Sequence, residues 1–460
     1  MINKKTAEQA LGRALSTGGD FAEIFYEDTR RSTLGMIDGK VDTATTRRTH
    51  GAGIRIFNGL NCIYVYTNDT SASGLMRAAQ QAADAVGSVK GDVSVNLVRR
   101  RNVNIHEFAQ LPMDVPGSRR AGIVRTAYMT AKDFSPEISQ VRAVLNEQES
   151  SVAIFNSEGL MVEDERVYSR LTTQAVASSA SENQTGFAGP GMLRGFELFD
   201  SIVDPAAGAR VAAEMAVTML HADACPAGSM PVVIDGGFGG VLIHEACGHS
   251  LEATSVAFGN SEFCGKLGQQ VASPIVTAID DGTMPNEWGS SNIDDEGTPT
   301  TKLVLIENGI LKNYMIDKLN ARRMGMPVTG SGRRESFAYA PTSRMRNTYI
   351  APGNDDENEI ISSMEYGLYA KSMGGGSVNP VTGEFNFAVD EGYLVKNGKI
   401  DRPVRGASLI GKGGDVLMNI DRVGRKMWMA PGMCGSSSGS VPTNVGQPMI
   451  RIKKLTVGGR

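Results

Sequence analysis

Four two-residue turn signals separate stretches of alternating apolar and polar residues, and they constrain the fold of this 460-residue chain most strongly. They are Asp38-Gly39, Asn58-Gly59, Asn308-Gly309 and Asn397-Gly398. Asn-Gly and Asp-Gly adopt the backbone angles of the tight turns that join antiparallel strands. We therefore predict at least four β-hairpins and a largely antiparallel sheet.

Segments with helical periodicity lie between these hairpins and do not alternate strictly with strands. They are residues 6–15, 73–86, 118–132, 207–221, 239–253, 356–370 and 414–426. Strict alternation would indicate a doubly wound α/β fold. The observed mixture predicts an α+β fold, with a mixed α/β N-terminal half that contains antiparallel hairpins and a strand-rich C-terminal half.

The chain is too long for one ordinary hydrophobic core. Residues 181–200 are rich in glycine and are predicted to form a long loop, and after Cys225 the composition shifts toward strands and glycine-rich turns. We predict an N-terminal α+β domain at 1–224, with two possible subdomains at 1–100 and 101–224. A β-rich C-terminal domain follows at 225–460.

Composition argues against several classes of partner. Lys and Arg number 46 against 50 Asp and Glu, a net charge of −4, so we expect no nucleic-acid partner. Neither a membrane span nor the apolar core of a secretory signal is present in the sequence. The five cysteines are scattered and odd in number, as is typical of reduced thiols. These features predict a cytoplasmic protein that does not enter a membrane.

Residues 243–249, IHEACGH, contain the zinc-peptidase motif H-E-x-x-H with one extra residue. Histidines four apart on a regular helix lie about 40° apart around the axis, but His244 and His249 are five apart and diverge by about 140°. Histidine occurs only five times in the chain, so two beside Glu245 favour a functional site. A shared ion requires a π-type bulge, and Gly248 is placed where we expect its backbone freedom to permit one.

A catalytic zinc ion usually takes three protein ligands, so two histidines need one more. Cys247 would lie about 160° from His249 on an undistorted helix, and we interpret it as a small buried residue. Glu252 shares a helix face with His249. Cys434 lies in the segment APGMCGSSSG, where a glycine loop could carry its thiolate to an ion. Spacing does not choose between Glu252 and Cys434.

Five segments follow one another in a characteristic order: HEACGHSLEA, IDDEGTP, NGILKNYMIDKLNARRMG, GSGRRESFAYAPTSRMRNTY and MCGSSSGSVPTNVGQPMIRIKKLTVGG. With them, the chain from about residue 20 to its end resembles the TldD branch of the TldD/PmbA metallopeptidase family. The resemblance is dense in the C-terminal half and looser before residue 220. The H-E-x-x-x-H motif distinguishes this branch from its metal-free PmbA (TldE) relatives.

The resemblance implies that His244, His249 and Cys434 bind Zn²⁺ and that Glu245 is the general base. Glu252 would then support the site or the fold. The resemblance also implies a zinc-dependent peptidase that cleaves unfolded or flexible peptides. It implies a dimer enclosing the active site, formed with a metal-free PmbA/TldE-like partner or with a second copy of the chain.

Two details bear on substrate recognition. Some relatives carry a charged loop where this chain has serines at 436–438, which leaves the substrate preference open. Arg334, Tyr339 and Arg344 are candidates for binding the substrate or its developing oxyanion.

Two alternative functions remain compatible with the motif. One is a regulatory binding protein in which zinc is structural, which requires a closed site with four ligands. The other is a metal-dependent hydrolase of a non-peptide amide, which requires a compact pocket instead of an extended groove.

Overall fold

The computed structural model describes residues 1–87, 91, 93–379 and 381–459. These residues have the predicted α+β fold. The helices are α1 Lys4–Ala14, α2 Ala72–Val86, α3 Gly117–Lys132, α4 Leu198–Ser201, α5 Pro205–Leu220, α6 Val241–Ile243, α7 Ala253–Val256, α8 Lys318–Met324, α9 Glu357–Ser362 and α10 Gly413–Asn419. Within the described ranges, no helix has the length and apolar character needed to cross a membrane.

The first sheet contains eight strands from the N-terminal part of the chain. They are β1 Phe21–Ile37, β2 Lys40–Asn58, β3 Asn61–Thr67, β4 Val98–Arg99, β5 Ile138–Asn156, β6 Leu160–Ser178, β7 Asn183–Ala188 and β8 Gly191–Met192. Their order is β3-β2-β1-β5-β6-β4, and β7 and β8 also pair with β6. Because β1 pairs with both β2 and β5, residues before and after position 100 share one sheet.

Both helix pairs of this part pack on one face of the first sheet. Helices α1 and α2 cover a core around Ile24 and Ile54, and α3 and α5 cover a core around Leu145. The C-terminal part covers the opposite face near the start of β1, where Phe25 packs against Phe337, and along β6, where Tyr168 packs against Trp288. Burial of apolar side chains on these faces fixes the strand register.

The second sheet belongs to the C-terminal part and includes a closed ring of strands. Its strands are β9 Asp223–Ala224, β10 Gly228–Ile234, β17 Tyr366–Val378, β18 Glu384–Lys396, β19 Lys399–Arg405, β20 Ser408–Lys412, β21 Ile420–Val423 and β24 Ile450–Gly458. Pairing of β17 with β18 closes the ring β17-β10-β24-β20-β18. The apolar core of this ring continues into α6 and the motif segment.

The third sheet carries Cys434 on its edge. Its strands are β11 Ala278–Asp281, β12 Lys302–Glu307, β13 Ile310–Leu311, β16 Asn347–Ile350, β22 Trp428–Ser436 and β23 Gly439–Gln447, in the order β13-β12-β11-β16-β23-β22. Two short strands, β14 Gly332–Arg333 and β15 Thr342–Ser343, form a separate pair. Cys434 thus lies in a β-hairpin, and our expectation of a glycine loop was wrong.

All four predicted hairpins are present in the structure. At three of them the Asp or Asn and the following Gly both have positive φ, namely Asp38-Gly39, Asn308-Gly309 and Asn397-Gly398. At the fourth, Asn58 pairs with Asn61, so the turn is formed by Gly59 and Leu60. Gly59 has φ 61°, as expected for the first residue of a turn that needs glycine there.

Three local predictions were wrong. The helix predicted at 356–370 ends at Ser362, and residues 366–370 join β17, where pairing with β10 and β18 outweighs their helical periodicity. The helix predicted at 414–426 ends at Asn419, because β21 pairs with β24. The predicted loop at 181–200 contains β7, which pairs with β6 and packs on α5.

A buried ion-pair cluster joins the first sheet to the C-terminal part. Arg55 of β2 lies 3.0 Å from Glu23 and 2.7 Å from Glu296, and Arg334 lies 2.7 Å from the other oxygen of Glu23. Burial, with repulsion from nearby carboxylates, raises the pKa of Glu296 to about 8 despite the attraction of Arg55. The cluster therefore depends on each cation staying in place.

We predict that Arg55→Met destabilises the protein by about 3 to 5 kcal/mol, because it leaves buried Glu296 without its cation and leaves Glu23 with Arg334 alone. Urea unfolding followed by circular dichroism measures this change. Arg48→Met is the matched control in the same strand, since Arg48 is 61% exposed and solvent screens its pair with Asp28, so this substitution should change the free energy of unfolding little. Equal effects of the two substitutions would contradict a structural role for the cluster.

Candidate metal centre

The motif segment contains the predicted π-type distortion. After β10, a glycine-rich turn at 236–240 leads into α6, and residues His244–Gly248 form a π-turn in which the His249 N–H donates to the His244 carbonyl. This bond spans five residues and absorbs the extra residue of the motif. The two imidazole centroids lie 5.1 Å apart, with ring planes at 81°.

Gly248 is required for a reason that we did not predict. Its backbone angles, φ −55° and ψ −54°, lie in the ordinary helical region, so the expectation that it supplies unusual angles was wrong. A Cβ at this position would lie 2.0 Å from Sδ of Met345, which is fully buried. Glycine therefore permits the close packing of the π-turn against the segment before β16.

Cys434 projects from β22 toward the two imidazoles. Its Sγ lies 3.3 Å from Nε2 of His244 and 3.3 Å from Nε2 of His249. The candidate ligand atoms of these three residues all lie within 4.8 Å of one another. All three side chains are largely buried, and the hairpin β22–β23 supplies the thiol from a position 185 residues after His249.

The donor set fits a tetrahedral zinc ion. Zinc–nitrogen bonds near 2.1 Å and zinc–sulfur bonds near 2.3 Å would place N and S about 3.5 Å apart, close to the measured separations. Nδ1 of His249 lies 3.1 Å from Oε2 of Glu252, the usual arrangement in which a carboxylate orients a ligating histidine. Glu252 thus faces the far side of His249, and Cys247 is buried in the core.

Burial and neighbouring charge act differently on the two histidines. Burial, with His249 and Arg344 nearby, lowers the pKa of His244 well below its usual value. Burial opposes protonation of His249 as well, but Glu252 and the Cys434 thiol raise its pKa well above the usual value. His244 is therefore neutral at physiological pH, as a metal ligand must be, whereas an ion at His249 has to compete with a proton.

Glu245 is the candidate base beside the cluster. Its Oε2 lies 3.7 Å from Nε2 of His249, and its side chain is 27% exposed. Burial raises the pKa of Glu245 above its usual value, while His249 opposes that shift. A carboxylate with a raised pKa accepts a proton more readily near neutral pH, which suits general-base catalysis.

The three predicted substrate-binding residues have different positions. Arg334 is buried, pairs with Glu23 and donates to the hydroxyl of Tyr64. Arg344 is buried and donates to the carbonyls of Gly439 and Cys434, so it anchors the hairpin that carries the thiol. Tyr339 is 38% exposed. Only Tyr339 has a side chain open to solvent, and its contact with a substrate stays a prediction.

Two residues that shape the site were not predicted from the sequence. Met345 packs on Gly248, and Trp288 donates from Nε1 to the carbonyl of Gly432 at 2.8 Å, two residues before Cys434. Met345 lies in the segment 330–349 that carries the family resemblance but was given no role there, and Trp288 lies outside all five segments. The sequence held one signal for Met345, which directly follows the predicted site residue Arg344. A distorted helix needs a buried apolar side chain to cover it, and Met345 could have been considered for that role.

We predict that Gly248→Ala destabilises the protein by about 1 to 3 kcal/mol, because the added methyl overlaps Met345 in a packed core. The free energy of urea unfolding measures this effect. The second-site change Met345→Ala should recover part of the loss. Gly435→Ala is a matched control beside Cys434, since no atom lies within 4 Å of its added Cβ. A neutral Gly248→Ala would refute the packing argument.

Three family models match successive parts of the chain. Residues 22–86 match PmbA/TldA metallopeptidase domain 1, residues 111–220 match the central domain, and residues 227–459 match the C-terminal domain. The last match includes the whole histidine–cysteine cluster. Together the three matches cover most of the chain.

Related proteins extend over nearly its full length. A metalloprotease TldD homolog from Haemophilus influenzae is 36% identical over 96% of this chain and 93% of its own length. A metalloprotease from Methanothermobacter thermautotrophicus is 34% identical over 96% of both chains. A zinc metalloprotease TldD homolog from Saccharolobus solfataricus is 26% identical over 98% of this chain and 99% of its own.

Solved structures share the fold. TldE from Thermococcus kodakarensis has a TM-score of 0.77 at 18% identity and covers 99% of both chains. A candidate modulator of a DNA gyrase from Thermotoga maritima has a TM-score of 0.79 at 22% identity, covering 95% of this chain and 96% of its own. At these identities the likeness shows the fold alone. The full-length sequence matches, in contrast, show that this chain belongs to the PmbA/TldD metallopeptidase family and is a metal-dependent hydrolase.

Proposed function

We propose that this protein is a zinc-dependent peptidase and that His244, His249 and Cys434 hold the ion. The observation that carries this proposal is the convergence of both Nε2 atoms on Cys434 Sγ, at 3.3 Å each, beside the carboxylate of Glu245. Two imidazoles and a thiolate leave a fourth position for water, as a catalytic site needs. Zinc is also named in the relative from Saccharolobus solfataricus.

Zinc in such a site supplies an acidified water and a Lewis acid for the peptide carbonyl. The protein supplies the remaining chemistry. Glu245 accepts the proton of the attacking water and passes it to the leaving amine, and Glu252 holds the orientation of His249. Arg344 keeps Cys434 in place through its main-chain carbonyl.

Unfolded or flexible peptides are the proposed substrates. The ligands are largely buried, and the metal-bearing hairpin lies against the first sheet, where Arg170 donates to the carbonyl of Pro431. A folded protein surface is poorly suited to such a recessed site, whereas an extended chain can enter it. Binding through the peptide main chain would give broad sequence tolerance.

We further propose a cytoplasmic dimer, formed with a metal-free PmbA/TldE-like partner or with a second copy. The shared fold of the TldE from Thermococcus kodakarensis supports a partner of the same architecture.

We also propose that the chain divides into two domains at residue 224. Its support is the change from the first sheet to the C-terminal sheets at that point.

We predict that Glu245→Gln lowers kcat for an unstructured peptide by about 10²- to 10⁴-fold, because the amide cannot accept the proton. Zinc content should stay at the wild-type stoichiometry, since the three ligands are intact. Chromatographic peptide cleavage and metal analysis provide the two measurements. Unchanged cleavage by the variant would show that Glu245 is not the general base, whereas a wild-type protein that binds zinc and cleaves no substrate would favour a regulatory protein with structural zinc. Cleavage of a small amide but of no peptide would favour the non-peptide hydrolase.

We predict that Cys434→Ser weakens zinc binding by at least about tenfold, because a neutral hydroxyl replaces a thiolate ligand. Competition with a colorimetric chelator under anaerobic conditions measures the affinity. Cys62→Ser is the control, since Cys62 is an exposed free thiol of the first sheet. Retention of stoichiometric, tightly held zinc by Cys434→Ser would move the third-ligand assignment to another residue.

A further inference from the structure

Strands β1 and β2 place two arginine pairs on opposite faces of the first sheet. Arg30 opposes Arg48, and the next residues, Arg31 and Arg47, oppose each other. Because side chains alternate along a strand, the two pairs point to opposite sides. Like charges that are directly opposed destabilise a sheet unless other groups offset them.

The pair on the helix-bearing face is neutralised by carboxylates. Arg30 lies 2.6 Å from Glu149, and Arg48 lies 2.7 Å from Asp28. Because each arginine has a carboxylate partner, the two cations can lie side by side on that face.

Among the described residues, neither arginine of the pair on the opposite face forms a salt bridge, although the carboxylate of Glu27 on the same face of β1 lies near enough to attract Arg31. Arg31 donates to the side chains of Gln148 and Thr49, and Arg47 is exposed. Arg55 and Arg166 of the same face form ion pairs with buried carboxylates. Arg142 and Arg170 do not: Arg142 opposes Ile37 and Gln174, and Arg170 opposes Asn146 and Gly191. We call the face that bears Arg31, Arg47, Arg142 and Arg170 the open face. Each direct cross-strand partner of its arginines is neutral or another arginine.

The open face leads to the metal-bearing hairpin. Gln148, next to Arg31, opposes Tyr168 on β6, and the ring of Tyr168 contacts Trp288 at a centroid distance of 5.1 Å. Trp288 donates to the carbonyl of Gly432, and Arg170 donates to that of Pro431, both at 2.8 Å. Strands are about 4.8 Å apart, so Arg31 lies roughly 10 Å from the β6 residues that touch this hairpin.

We propose that the open face binds acidic segments of extended peptides and thereby selects acidic chains as substrates. Its cationic surface complements carboxylates, and its threonine, asparagine and glutamine side chains can hydrogen-bond a peptide main chain. An extended peptide bound there has a short path to Cys434. A long polyanion such as DNA would meet repulsion from the rest of the molecule, whose net charge is −4. Selection during cleavage rests on the proposed peptidase function, whereas binding does not.

A binding experiment tests the surface without relying on catalysis. Fluorescence anisotropy with the zinc-loaded Glu245→Gln protein would compare a labelled Glu-Gly repeat peptide, the matching Gln-Gly peptide and single-stranded DNA. We expect the Glu peptide to bind about tenfold more tightly than the Gln peptide at low salt, with the difference shrinking as salt increases. Equal affinity for the two peptides, or tight binding of DNA alone, would overturn the proposal.

Paired double variants locate the effect on one face. Arg31→Gln/Arg47→Gln should abolish the preference for the Glu peptide. Arg30→Gln/Arg48→Gln removes the same charge from the same strands on the other face and should preserve it. Loss of the preference in both variants would indicate a global charge effect and refute the open face as the site. Circular dichroism confirms that each variant is folded.

Kinetics with the active enzyme then connect the surface to cleavage. In the otherwise wild-type chain, Arg31→Gln/Arg47→Gln should raise KM for the Glu peptide about tenfold, with kcat unchanged and the Gln peptide unaffected. A fall in kcat for both peptides would assign these arginines a structural role and overturn the proposal. If the wild-type enzyme cleaves neither peptide, the proposed peptidase function fails, and the anisotropy result still decides whether the open face binds acidic chains.

Discussion

The five-residue hydrogen bond from the His249 N–H to the His244 carbonyl is the constraint on which the candidate metal centre depends. A regular helix would direct the two imidazoles about 140° apart, and they could not meet one thiol. The π-turn is in turn held by packing, because Met345 occupies the space left by the missing side chain of Gly248. The geometry of the site is therefore a property of the surrounding core as much as of the motif.

The thiol depends on a second set of contacts. Cys434 lies on an edge strand, where an isolated hairpin would be free to move. Arg344 binds its carbonyl from inside the fold, and Trp288 and Arg170 bind the preceding carbonyls from the side of the first sheet. The N-terminal sheet thus helps to position Cys434, the proposed third ligand. The buried ion pairs around Arg55, which join this sheet to the C-terminal part, therefore affect the candidate site as well as stability.

Local signals in the sequence predicted the hairpins, the α+β class and the need for a bulge between the two histidines. They did not predict which part of the chain supplies the third side chain, because the choice between Glu252 and Cys434 depends on how β22 and β23 join β16. Spacing carries no information about that pairing, and only the family resemblance favoured Cys434. The helix prediction for residues 366–370 failed for a similar reason, since their place in the closed ring of the second sheet is set by pairing with distant strands.

The two arginine pairs show why a motif and a surface differ in what a sequence reveals. Four arginines occur as two adjacent pairs, at 30–31 and 47–48, and the spacing alone does not distinguish a neutralised pair from an exposed one. The distinction arises only when β5 places Glu149 beside Arg30 and Gln148 beside Arg31. One residue of register therefore decides which face is neutral and which is cationic. Selection for substrate charge would be specified by strand pairing in the N-terminal sheet, whereas the chemistry is specified by the motif in the C-terminal part.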